Sequence, residues 1–272
     1  MAMIVLIRGG GDLASGVALR LFHAGFRVAI SELPQPLAIR RRVSFAEAVY
    51  EGETTIEGIT AKLVKDPTDT LRTIQVFAKN FIPVMIDPQA AAVNALHPTV
   101  VVDARMLKQH VELLPKTIQL IIGLGPGFIA GENCHAVIET QRGHTLGRVI
   151  WDGSPLSDTG LPEPLDEWRR ERVLRAPVSG ILEAKTEIGD FLEKGQTIAE
   201  ISGEKINAPF KGILRGLIRP GIPIEQGCKV GDIDPRNDPR LCNLVSDKSL
   251  AIGGGVLEAI LSRPNLRPHI WQ

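Results

Sequence analysis

Met3-Ile4-Val5-Leu6-Ile7-Arg8 runs into Gly9-Gly10-Gly11-Asp12, and then into Leu13, Val17 and Leu21 at helical spacing with Ala14 and Ala18 beside them. The opening run is apolar throughout and of strand length, as a strand covered on both faces requires. Arg20 and His23 lie off the apolar stripe of the helix that follows. Gly25 stands where that helix stops. A second short strand runs from Arg27 to Ile30 and ends at Ser31-Glu32. The reading is strand, glycine turn, helix, strand.

Such a turn has a chemistry. Glycine lacks Cβ, so its backbone amide can approach an anion and take positive φ. The helix start adds unpaired N–H groups and a positive dipole end. Glu32 follows Gly11 by 21 residues, where a Rossmann unit places a carboxylate for ribose hydroxyls. The fingerprint is imperfect: Ala14 takes the third glycine position, and Asp12 sets a negative charge near the presumed phosphates unless it caps the helix. Gly9, Gly10, Gly11, Asp12, Ala14, Ser15 and Glu32 are the expected nucleotide contacts. The alternative is a Rossmann relic that binds nothing.

The α/β rhythm continues, with strands expected at Ala61–Val64, Ile82–Ile86, Thr99–Val102 and Ile118–Ile122 and helices over Thr68–Asn80 and Gln89–Leu96. Several strands end in Gly or Asp, and ligands of parallel sheets sit at strand carboxyl ends. Asp87, Asp103, Arg105, Gly123, Gly125 and Gly127 therefore join the candidate site. Alternatively these residues only make turns. Arg40-Arg41-Arg42 is a solvated patch or an anion contact, and 45–52 a short helix that could form a flap over the glycine turn.

Further on, a 32-residue unit occurs twice. Ala176-Pro177-Val178-Ser179-Gly180-Ile181-Leu182 is answered by Ala208-Pro209-Phe210-Lys211-Gly212-Ile213-Leu214, and Gly189, Leu192, Glu193 and Gly195 by Gly221, Ile224, Glu225 and Gly227. Each copy reads as short strands cut by Gly and Pro, too small to bury its own apolar face. The pattern resembles the biotinyl/lipoyl-like barrel, whose family implies a carrier lysine between the halves. Lys205 falls near that position, but the hairpin is too short and no Met-Lys-Met or Asp-Lys context surrounds it. No covalent biotin or lipoate is expected.

Two strand-like stretches, Ala136–Thr140 and Leu146–Trp151, flank Gln141–Thr145, a hairpin whose tip residues Arg142 and His144 serve a substrate or partner or are merely structural. Cys134-His135 lacks further ligands at metal spacing, so no metal is expected. Gly153–Glu167 is proline-rich and reads as a linker. Asp232 and Asp234 would share a strand face, where they could hold a metal, pair with Arg236 or form a surface salt-bridge cluster, and with Arg236 they are candidate partner or substrate contacts. Ser246-Asp247-Lys248 opens a last helix holding Gly253-Gly254-Gly255, an arrangement that calls for close packing on another backbone.

The 272 residues suit one large or two ordinary domains, and 44% hydrophobic with 23% charged content suits a globular chain. Lys plus Arg and Asp plus Glu stand at 31 each, so charge argues for neither nucleic acid nor an anionic membrane. No run approaches bilayer length, the N-terminus lacks a signal-peptide pattern, and three scattered cysteines suit a reducing compartment. A cytoplasmic location is expected.

Gly-Gly-Gly-Asp-Leu-Ala-Ser-Gly from Gly9, Gly-Leu-Gly-Pro-Gly-Phe from Gly123, Glu-Thr-Gln-Arg-Gly-His-Thr-Leu-Gly from Glu139, Lys229–Arg236 and Ser246-Asp247-Lys248 together resemble the YqeB-type accessory proteins of selenium-dependent molybdenum hydroxylase systems. The first domain is also similar to the Rossmann domain of XdhC-type maturation factors. The resemblance implies an accessory or maturation factor that binds a nucleotide or a molybdopterin dinucleotide and presents it to an apo-hydroxylase. The alternatives are an NAD(P)-dependent oxidoreductase, for which only His144 or Asp103 could donate a proton, or a scaffold with an empty Rossmann unit. The expected fold is α/β. A Rossmann-like parallel-sheet domain spans 1–130, and a hairpin with its linker spans 131–172. A small all-β barrel-sandwich of biotinyl/lipoyl-like type spans 173–236, and the C-terminal helix and tail of 237–272 pack back. Whether chains assemble with copies of themselves is left open.

Overall fold

The computed structural model describes residues 3–108, 111–157 and 171–270. These divide into two compact units: residues 3–36, 45–157 and 245–270 form one, and residues 37–44 with 171–244 the other. Most of the expected linker, 158–167, lies outside the described residues.

The first unit opens with β1 (Ile4–Arg8), α1 (Asp12–His23) and β2 (Arg27–Glu32). After α2 (Ala48–Glu51) come β3 (Glu53–Ile56), β4 (Ile59–Val64), α3 (Thr70–Ala78), β5 (Ile82–Ile86) and α4 (Ala91–Leu96). Then follow β6 (Val100–Asp103), β7 (Leu120–Leu124), β8 (Ala136–Ile138) and β9 (Val149–Ile150). The nine strands form one sheet in the order β3-β4-β5-β2-β1-β6-β7-β8-β9. From β4 to β8 the neighbours run parallel. Val5, Leu6 and Ile7 of β1, at the centre, are fully buried, which explains the unbroken apolar run.

The expected parallel sheet is corrected: the sheet is mixed, because both edge strands, β3 and β9, pair antiparallel. Parallel neighbours need a crossover, whereas a tight turn reverses the chain. Glu57-Gly58, with φ of 47° and 82°, makes such a two-residue turn between β3 and β4. The switch point of the parallel part lies between β1 and β6, since the chain builds outward through β2 and then returns to the other side of β1.

The second unit holds β10 (Val173–Arg175), β11 (Gly180–Ala184), β12 (Phe191–Leu192), β13 (Thr197–Ile201) and β14 (Glu204–Asn207). It continues with β15 (Gly212–Leu217), β16 (Pro223–Ile224) and β17 (Lys229–Asp234). Here too the expectation is corrected. The repeat builds no biotinyl/lipoyl-like barrel-sandwich but two four-stranded antiparallel sheets, β10-β17-β15-β12 and β14-β13-β11-β16. The copies remain visible in the register. Gly212 faces Leu192, and its counterpart Gly180 faces Ile224, the counterpart of Leu192. Each two-residue strand, β12 and β16, pairs with a strand of the other copy, because Gly and Pro turns leave it too short to build a sheet at home. Leu182, Ile198, Ile201, Ile213, Leu214 and Ile233 form the core of this unit.

Residues 37–44 belong to the second unit and divide the arginine run: Arg42 is exposed, whereas Arg40 is buried and Arg41 half-buried against the backbone. Arg40 Nη2 donates to the carbonyls of Leu241 and Leu244 at 3.1 and 3.0 Å, and Arg41 Nε to that of Leu217 at 2.8 Å. These arginines hydrogen-bond backbone carbonyls of the second unit, one at the end of β15 and two in the segment after β17.

The chain then returns to the first unit as α5 (Asp247–Leu261), capped by Ser246, whose Oγ accepts from Ser249 N at 3.1 Å. α5 packs on α1 through small residues. A Cβ on Gly16 would lie 2.6 Å from Ser249, and one on Gly253 would lie 2.7 Å from Gly16 O. Gly255 faces the Gly147 backbone, while Gly254 meets nothing within 4 Å. The glycine run thus buys backbone-to-backbone contact on two of its three residues.

Candidate anion site at the carboxyl ends of the strands

The turn after β1 is held from several sides. Gly9 takes φ 92°, a conformation glycine adopts without strain, and its N–H donates to Ser31 O at 2.8 Å. Gly10 N donates to Glu32 Oε1 at 2.7 Å, and Leu33 N to Glu32 Oε2 at 2.6 Å. Burial pushes the Glu32 carboxyl above its ordinary range, and these two backbone donors only partly offset it. Glu32 therefore braces the glycine turn. On the other side, Ala46 N donates to Gly10 O at 2.9 Å, and a Cβ on Gly10 would lie 2.9 Å from Ala46 N. Ser15 Oγ accepts from Phe45 N at 2.9 Å. Phe45, Ala46 and Ala48 are fully buried. The segment imagined as a flap is thus packed in place, since its apolar side chains belong to the core.

Gly11 differs. It is the N-cap of α1, with φ −65° and no side-chain cap, and a Cβ placed on it would meet nothing within 4 Å. Asp12 is the first helical residue, where its charge complements the dipole. Ala14 and Ser15 are buried in the first turn.

At the switch point stand four charges. Arg8, the last residue of β1, donates from Nη1 to Asp103 Oδ2 at 3.2 Å and from Nη2 to Glu112 Oε1 at 2.5 Å. Arg105 donates to the two oxygens of Asp103 at 2.9 and 2.6 Å and to Glu112 at 3.0 Å. Burial pushes Glu112 up, but its hydrogen bonds from Arg105 and Arg8 outweigh this and bring it down to about 2. Burial likewise opposes the charge of Arg105, and the Asp103 and Glu112 carboxylates outweigh it, so its pKa is raised.

The other expected residues have local duties. Asp87 accepts from Ala91 N and Ala92 N at 2.7 and 3.0 Å and so caps α4. The ring of Phe128 covers Gly123, the backbone of Leu107 covers Gly127, and Met106 lies against Gly125. The missing side chains of these glycines make room for neighbouring protein. Arg142 donates to both oxygens of Asp247 at 2.5 and 2.6 Å, and His144 is exposed beside it. In the second unit Arg172 and Arg215 donate to Asp232, and Arg215 and Arg236 to Asp234. Asp232 and Asp234, both buried, are therefore joined with Arg172, Arg215 and the exposed Arg236 in one ion network there. Lys205 is exposed on β14 opposite Glu200. Cys134 is buried, and His135 Nδ1 accepts from Ile121 N at 2.9 Å. Among the described residues no group of three His, Cys, Asp or Glu could hold a metal ion.

Sequence reasoning passed over Arg8 and Glu112. Arg8 could have been noticed as a charge ending an apolar strand directly before the glycines. Glu112 carries no local signal, because only the fold brings it back to β1.

No protein-family model matches the chain. Among solved structures, the apo form of the ectoine utilization protein EutE (DoeB) from Ruegeria pomeroyi is 12% identical with a TM-score of 0.25, over 85% of this chain and 86% of that one. An aspartoacylase family protein from Mesorhizobium loti is 13% identical with a TM-score of 0.28, over 86% and 85%. Likenesses this low carry no argument. No helix among the described residues is long and apolar enough to cross a membrane. The Escherichia coli (strain K12) protein named "Uncharacterized protein YqeB" is 46% identical over 258 residues, which is 95% of this chain and 47% of that protein. The chain thus spans about half the length of this curated relative. Over the span they share, this chain belongs to the YqeB family.

Proposed function

We propose that this chain is an accessory factor in the maturation of a molybdenum hydroxylase, of the selenium-dependent kind, in the cytoplasm. It binds a nucleotide or a molybdopterin dinucleotide and presents it to the apo-enzyme. The motif resemblance supports the cellular role. One observation carries the binding role: α1 begins at Gly11 without a side-chain cap and with open space above it, at the carboxyl end of a central parallel strand. A helix start of this kind favours an anionic group. The XdhC-type likeness of the βαβ unit agrees with that reading.

The brace at Gly10 favours a second reading. Its N–H is committed to Glu32 and its carbonyl to Ala46, so one amide of the turn is withdrawn from any phosphate. A scaffold that binds no nucleotide would look the same at this residue.

Calorimetric or thermal-shift titration with NAD(H), NADP(H), ATP, CTP and molybdopterin cytosine dinucleotide separates the two. Selective stabilisation by the molybdopterin compound supports maturation, and no response to any of them supports the scaffold. Gly11→Asp is the matched control. The φ of Gly11 suits any residue, and an aspartate there caps the helix and fills the anion position. The protein should fold and lose the response; binding that survives the substitution removes this site.

A further inference from the structure

The two carboxylates facing Arg8 and Arg105 are not equivalent. Asp103 is 1% exposed, lies at the end of β6, and accepts from Arg8, from the Arg105 side chain and from Arg105 N. It is a fixed part of the sheet. Glu112 is 51% exposed and sits outside any helix or strand. Yet it supplies one of the two carboxylate contacts of Arg8, a side chain only 4% exposed. The strand ends alone thus carry two guanidinium groups against one carboxylate, and a solvent-facing side chain balances the charge.

We propose that Arg8 and Arg105 form a binding site for a phosphate group, which Glu112 occupies as an internal carboxylate until a phosphate displaces it. The proposal deepens the function above and rests on its claim that the strand ends take an anionic cofactor. A guanidinium presents a planar fork of N–H donors, matched to the oxygens of carboxylate and phosphate alike. Here both forks converge on one carboxylate at the switch point, where parallel sheets hold their ligands. Removing the anion without replacement would leave Arg8 buried and short of a partner, which is costly. Glu112 prevents that in the empty protein. A phosphate brings more oxygens and more negative charge to the same donors, so the exchange is favourable once a ligand presents it. Asp103 stays in place and keeps the two arginines apart and aimed.

The test is calorimetric titration of the full chain with inorganic phosphate and with ADP, for the wild type, Glu112→Gln, and Glu112→Gln combined with Arg105→Gln. Glu112→Gln is expected to bind inorganic phosphate about tenfold tighter than the wild type, the scale of one competing charge-assisted contact. Arg105→Gln should remove that gain. Unchanged phosphate affinity in a folded Glu112→Gln protein overturns the proposal. Should that variant not fold, Glu112→Asp keeps the charge but shortens its reach, and must show a smaller gain in the same direction; no gain is equally fatal. ADP binding with the same dependence on Glu112 identifies a nucleotide phosphate, and phosphate binding alone identifies the free ion. The outcomes also separate the two claims. Molybdopterin dinucleotide binding that ignores Glu112→Gln leaves the proposed function standing without this site. A gain in phosphate affinity without dinucleotide binding by either protein leaves the site standing without that function.

Discussion

Half-buried at the end of β2, Glu32 accepts the N–H of Gly10 at 2.7 Å with its carboxylate and ties down the glycine turn. The position predicted for a ribose-binding carboxylate is occupied by a brace. Desolvation disfavours the charged form of Glu32 more than the two backbone donors favour it, so its pKa lies above the ordinary value.

This shift has a definite pH consequence. The native protein holds the Glu32 proton more tightly than the unfolded chain, so its contribution to stability is complete below the unfolded value near 4.5 and is lost as pH rises through the native one. Urea unfolding of the wild type should therefore weaken over that window relative to Glu32→Gln, which does not titrate. Parallel curves for the two proteins between about pH 4 and pH 7 would show that Glu32 is not perturbed.

The crossing of α1 and α5 depends on missing side chains. Gly16→Ala would set a Cβ 2.6 Å from the Ser249 backbone, and overpacking of this kind costs about 1–3 kcal/mol. Gly254→Ala meets nothing within 4 Å and should stabilise the helix by up to about 1 kcal/mol. Opposite signs in thermal unfolding are the expected result, and equal effects would mean that the two helices do not cross at Gly16.

In the second unit, burial pushes Asp234 up, but the hydrogen bonds of Arg236 and the charges of Arg215 and Arg236 outweigh it and hold the carboxyl below its usual range. Its contribution is present above the unfolded value near 3.8 and falls away as pH drops through the lower native one. Asp232→Asn should be severe at neutral pH, about 3–5 kcal/mol, because Arg172 and Arg215 lose the carboxylate they share. Denaturant titration monitored through this unit measures it, and a loss under about 1 kcal/mol would mean that solvent replaces the lost partner.

Local signals made several elements legible. The apolar run of Met3–Arg8, the stripe of Leu13, Val17 and Leu21, and the cap at Ser246 each state their structure within a few residues, because strand burial, helix periodicity and capping are short-range effects. The period between Gly180 and Gly212 likewise announced two related units. Pairing could not be read in the same way. Neither the antiparallel edges β3 and β9 nor the division of the repeat into two sheets has a signature in any one segment, since strand partners are chosen by mutual burial across the fold.

The same division runs through the candidate site. Sequence by itself determined that a glycine turn would follow a buried strand and open a helix, for glycine and apolar spacing act where they stand. Only the tertiary structure decided what meets that turn. It brought Glu32 and Ala46 onto Gly10, left Gly11 open, and carried Glu112 across to Arg8, 104 residues away in the chain. Side-chain charge is written in the sequence, but the neighbour that neutralises it is set by the path of the folded backbone.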